Sequence, residues 1–198
     1  MQVTTETAIE DTRVWLERAV IGLNLCPFAK SVHVKGQIHY VVSRAQTAQA
    51  LLQDLIVELK ALLDSAPAAR DTTLLIAPHC LHDFLDFNDF LARADDALVE
   101  LGLEGEFQIA SFHPHYQFAG TAADDITNYT NRSPYPMLHL LREASIDRAV
   151  QAFPEAEEIF GRNIQAMQAL GIEGWAALRV GPSVVFSGDG ADCGKLKP

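Results

Sequence analysis

At 198 residues, 48% hydrophobic and 21% charged, the chain suits one globular domain with a real core, and disorder is not its default. A surplus of 26 acids over 15 bases gives a net charge of -11, which repels phosphate backbones and anionic lipid. With no Lys/Arg run to offset it, and no apolar run near the roughly 20 residues a membrane helix needs, nucleic-acid and membrane partners are not expected.

Glu6, Glu10 and Asp11 stand where an export signal would carry basic residues. Three scattered cysteines, Cys26, Cys80 and Cys193, do not make a disulfide framework, so the cytoplasm is the expected compartment. The glycosylation sequons at Asn128 and Asn131 carry no meaning there.

Residues 7–25 read as a helix with Thr7 and Glu10 as a capping box, ended by Pro27. Residues 37–43 read as a strand containing Ile38, Tyr40, Val41 and Val42. Ala48, Leu51, Leu52, Leu55, Ile56, Leu59, Leu62 and Leu63 then hold one apolar stripe at helical spacing. Thr72 to Ala77 is a short apolar strand of the kind buried on both faces of a sheet. A second amphipathic helix turns Phe84, Phe87, Leu91, Ala94, Leu98 and Leu101 inward and ends at Gly102, and residues 106–112 form a third strand.

Two strand–helix–strand units predict an α/β fold with a small, mainly parallel sheet of about three strands flanked by helices, with room for a further hairpin. An irregular loop over 114–133 follows, then helices near 135–151 and 155–170. Residues 175–187 suggest a hairpin about Gly181-Pro182, before a Gly-rich tail expected to be disordered. The expected division is a domain over 1–178 and a tail over 179–198.

In open parallel sheets, ligands gather at the carboxyl ends of the strands. Those ends carry Ser43-Arg44, Pro78-His79-Cys80 and His113-Pro114-His115, the last running straight into the long loop. The loop is rich in residues that pack, Tyr116 and Tyr129 among them, and in polar groups able to act together. Asp125, Asn128, Asn131 and Arg132 are spaced three or four apart, and His139 and Arg142 are one helical turn apart. Arg132 and Arg142 are candidates to clamp an anion, because guanidinium donors fork onto carboxylate or phosphate. His113 is the candidate acid/base, with Asp124, Asp125 and His139 as further catalytic candidates. Tyr116, Asn128 and Asn131 would line the pocket. The competing reading is structural: Asn and Asp satisfy loop backbone, and Arg132 pairs with Asp124 or Asp125.

Gly22-Leu23-Asn24-Leu25-Cys26-Pro27-Phe28-Ala29, Phe112-His113-Pro114 and the run NYTNRSPYPMLHLLRE from Asn128 to Glu143 carry a resemblance. Over roughly residues 8–175 the chain resembles the bacterial family catalogued as domain of unknown function 1415. The resemblance implies a fold-sized unit and a bacterial source, and no activity. Its motif, Phe-His-Pro-x-Tyr, leaves the position of His115 open and so weakens that residue as a candidate.

Cys26, at a helix end, is expected to be packed and inert, with its thiol pKa raised by the helix dipole. A metal site would draw on Cys26, His79 and His113, yet no zinc-module spacing is present. G-x-G-x-x-G and P-loop motifs are also missing, so no cofactor is named. The leading expectation is a small cytosolic enzyme acting on a small anionic metabolite. The alternatives are a non-catalytic ligand-binding or regulatory module, a metal-dependent hydrolase, and an interaction protein whose loop docks a partner.

Overall fold

A computed structural model describes residues 3–152 and 158–183. Four strands, β1 (Ile38–Val42), β2 (Thr72–Ile76), β3 (Phe107–Phe112) and β4 (Met137–Arg142), form one sheet in the order β1-β2-β4-β3. β1 and β2 run parallel, and β4 is antiparallel to both β2 and β3. This corrects the mainly parallel expectation: β3 points the same way as β2 but is separated from it by β4.

The misread element is β4 itself, where the sequence suggested a helix over 135–151. Its residues are good helix formers, but β2 is buried along its whole length and needs hydrogen-bond partners on both sides. Pro136 sits just ahead of β4, where a proline is tolerated, and its carbonyl accepts from the Ala77 N–H at 2.8 Å. Helix α5 (Glu143–Ala152) begins only where the strand ends.

Two long helices, α3 (Ala48–Leu63) and α4 (Phe84–Glu100), cover one face of the sheet. Leu51, Leu55, Leu59, Leu62, Phe87 and Phe90 pack there against Leu75, Leu138, Leu140 and Phe107. The other face, with Leu74, Ile76 and Met137, is covered by Trp15, Leu16, Ala19 and Val20. Gly102 has φ +65 beyond α4, and the Leu103 N–H reaches back to the Leu98 carbonyl at 2.9 Å, the C-terminal cap expected from the sequence.

Helix α1 (Thr5–Trp15) starts earlier than Thr7, because Thr4 is the residue that caps it, accepting from the Thr7 N–H. The helix then widens into a π segment over Leu16–Ile21. Gly22 closes that segment, donating to the Glu17 carbonyl at 2.9 Å, and a Cβ there would press against the Arg18 carbonyl. The glycine of the Gly22–Ala29 string is thus required by close backbone approach. A short helix α2 (Ala29–Val34) precedes β1. The last helix, α6 (Ile159–Leu178), kinks at Gly171 and ends at Arg179 in the left-handed region. Residues 175–178 are therefore helical rather than half of a hairpin, and the predicted partner over 184–187 lies outside the described residues, as does the tail. No described helix is long and apolar enough to cross a membrane.

Candidate functional site

Although the sheet is mixed, β1, β2 and β3 are co-directional, so their carboxyl ends share one edge. A concavity of about 560 Å³ opens at that edge. One wall is His82, Asp83, Phe84 and Leu85, where the chain leaves β2 and enters α4. The other is His115, Gln117, Ala123, Asp124, Tyr129 and Arg132, from the loop after β3. The concavity thus lies at the strand-end edge singled out from the sequence, although the strand order differs.

Behind the two walls, in ring contact with Phe84 and His115, lies His113, which is fully buried. Its Nε2 donates to the Leu81 carbonyl at 3.0 Å, and its Nδ1 accepts the His115 N–H at 3.0 Å. These partners together require the neutral Nε2–H tautomer. The rings of Phe84 and Phe87 lie 5.4 and 5.1 Å away, and burial lowers the His113 pKa to about 4. Leu81 has φ +54, a left-handed conformation that strains a bulky side chain. The imidazole thus ties the strained β2–α4 turn to the β3 loop. With both nitrogens committed to backbone, His113 is set behind the concavity.

Arg132 occupies the position with the most open chemistry. Its Nη2 donates to the Ala123 carbonyl at 2.6 Å and its Nε to that of Tyr116 at 3.3 Å. The guanidinium lies 4.1 Å above the Tyr129 ring. No carboxylate reaches it among the described residues, so the expected pairing with Asp124 or Asp125 is not what holds it. Its carbonyl accepts from Trp15 Nε1 at 2.8 Å, and Tyr129 meets the edge of Trp175 with ring centres 5.2 Å apart. Both tryptophans of the chain therefore bear on the turn that carries Arg132.

The other sequence candidates divide sharply. Asp125 caps the 3-10 turn Ile126–Asn131, accepting from the Thr127 N–H and hydroxyl, which holds its carboxyl below the usual range. Asn128 is fully buried, accepting from the Phe118 N–H at 2.9 Å and donating to the Ala122 carbonyl at 2.8 Å. Asn131 donates to Ser111, and Tyr116 packs its ring on Phe84 and Phe118. These four brace the loop.

His139 and Arg142 do not share a helical face, because β4 is a strand. They point to opposite faces of the sheet. His139 lies against Thr72 at 2.6 Å. The single Thr72 hydroxyl proton goes to the Leu140 carbonyl, so the imidazole donates from Nε2. Burial lowers the His139 pKa to about 4. Arg142 pairs with Phe107 at the far end of the sheet, while Phe112, next to His113, pairs with Met137. Five strand steps, about 17 Å, separate those ends. Its guanidinium holds the carbonyls of Leu62 and Ser65 at the end of α3. The expected convergence of His113, Arg132 and Arg142 on one anion is therefore corrected: only Arg132 lines the concavity.

Cys26 is partly buried against the α1 side of the sheet, whereas His113 is on the α4 side. Among the described residues no group of three or more His, Cys, Asp or Glu could hold a metal ion. Burial, rather than a helix dipole, pushes the Cys26 thiol pKa up, partly offset by the N–H groups of Phe28 and Ala29. Alkylation of Cys26 in the native state is expected to be slower than that of a free thiol at pH 7.5. A rate equal to or above the free-thiol rate would contradict this packing.

His82 and Tyr129 were missed as site residues, and His115 was discounted. The available signal was positional, since His82 lies at the start of α4 on the same sheet edge as His113. Burial and the nearby His79 lower the His82 pKa.

A family model, described as a protein of unknown function (DUF1415), matches residues 7–177. The chain belongs to that family. Its matched span includes every wall of the concavity and both tryptophans. No curated protein and no solved structure matched the chain.

Proposed function

We propose that this protein, a cytoplasmic protein of bacteria, takes a small anionic metabolite in the concavity at the strand ends, with Arg132 as the anchor. The observation that carries this reading is a guanidinium held by two carbonyls and an aromatic face, with no carboxylate partner among the described residues, in a recess of ligand size. Such a group keeps donors for a carboxylate or phosphate. The imidazoles of His82 and His115 line the same recess, so the chemistry that fits best is proton transfer to or from the bound anion. His113 then supports the site from behind by fixing the Leu81 turn.

A non-catalytic binding role is the second reading, favoured by how open the recess is on its outer side. Thermal melts in phosphate, sulfate and small carboxylates test the shared part of both. Wild type should gain stability with ligand concentration, and Arg132→Ala should lose that gain while melting within about 1 kcal/mol of wild type. No ligand effect in wild type, or an equal effect in Arg132→Ala, would remove the basis for the site.

A further inference from the structure

We infer that the ligand of this concavity is a zwitterion with an apolar body, of the α-amino acid class; this rests on the proposed anion site at Arg132. Asp124 lines the same recess as Arg132 and follows directly after Ala123, whose carbonyl the Arg132 Nη2 holds at 2.6 Å. The two side chains nevertheless form no ion pair, and Asp124 has no hydrogen-bond partner among the described residues. The other carboxylate of the recess, Asp83, caps α4 through one oxygen, which accepts the N–H groups of Leu85 and Asp86 at 2.9 and 3.1 Å.

The recess therefore presents the Arg132 guanidinium together with the exposed carboxylate of Asp124, which no protein group neutralises among the described residues. A ligand bearing only a carboxylate would meet Arg132 but also the field of Asp124. A ligand with adjacent carboxylate and ammonium satisfies both. Apolar surface lies on both walls: Leu85 is 70% exposed on the first turn of α4, beside Phe84, and Tyr129 adds an aromatic surface on the wall that carries Arg132. These surfaces suit a hydrophobic side chain of the ligand.

The test compares phenylalanine, 3-phenylpropionate and phenethylamine as free ligands, read by calorimetry and by fluorescence of the two tryptophans. Phenylalanine should bind wild type at least about threefold tighter than 3-phenylpropionate, the range of one exposed ion pair. Asp124→Asn should bring that ratio to about one while retaining 3-phenylpropionate binding, and Arg132→Ala should lose both ligands. Equal binding of phenylalanine and 3-phenylpropionate to wild type, lost in Arg132→Ala, overturns the zwitterion and leaves the anion site standing. Tightest binding by phenethylamine overturns the zwitterion in favour of a cation site. No binding of any ligand, or binding indifferent to Arg132→Ala, overturns it together with the anion reading.

Discussion

His113→Ala is expected to destabilise the fold by about 3 kcal/mol, more than any substitution on the rim of the concavity. The side chain is fully buried, packed between Phe84 and Phe87, and its removal leaves a cavity. The Leu81 carbonyl also loses its donor, in a turn already strained at φ +54. Urea midpoints of wild type and variant measure the loss. A change below about 0.5 kcal/mol would contradict the bracing role.

The same residue sets a pH dependence. His113 and His139 are held neutral, with pKa values lowered from 6.5 to about 4 in the folded state. Between those values the unfolded chain binds more protons than the folded one, so acid favours unfolding. Their contribution is fully present above pH 6.5 and is lost as pH falls toward about 4, by about 1.4 kcal/mol per pH unit for each imidazole. His113→Gln should therefore flatten the fall in stability between pH 6 and 4.5 by about one proton. An unchanged slope would mean that His113 titrates alike in both states.

Arg142→Ala is the second large expected effect, a loss of about 2 to 4 kcal/mol with no change in ligand binding. The guanidinium satisfies the Leu62 and Ser65 carbonyls at the C-terminal end of α3 and lies 5.4 Å from the Phe107 ring. Arg142 is also imperfectly satisfied, since its Nε is buried without a partner. That orphan lowers the net gain and is why the expected loss is not larger. Substitution at Arg132, by contrast, should act on binding and leave the melt nearly unchanged. A variant pair with these effects reversed would exchange the roles of the two arginines.

Much of the fold was legible because the elements before residue 113 have clean periodicity. The stripes of α3 and α4 and the apolar run of β2 predict their bounds to within a few residues. β4 was not legible for a physical reason. A strand buried on both faces has no alternation, and Met-Leu-His-Leu-Leu-Arg carries no β-branched residue, so local propensity favoured a helix. That single error placed His139 and Arg142 on one face and drew Arg142 toward a site it does not touch. Pro134 and Pro136 were the opposing signal, since residues before proline favour extended backbone.

At the candidate site, the strand ends named from the sequence share the edge where the concavity opens, and Arg132 and Asp124 line it. The role of His113 was inverted. Its position after β3 suggested an exposed acid/base, but the loop folds back so that its backbone N–H meets Asn131 and its ring is covered by α4. No one-dimensional pattern records that covering.

The most direct measurement follows the Arg132 side chain itself by nitrogen-detected NMR, with Arg132→Lys used to assign its guanidinium signals. On titration with a small carboxylate such as 3-phenylpropionate, the guanidinium resonances of Arg132 should shift and exchange more slowly with solvent, in step with the tryptophan fluorescence change, while those of Arg142 stay fixed. Saturable binding that leaves Arg132 unshifted, or that shifts Arg142 instead, would contradict the assignment of Arg132 as the anchor of the site.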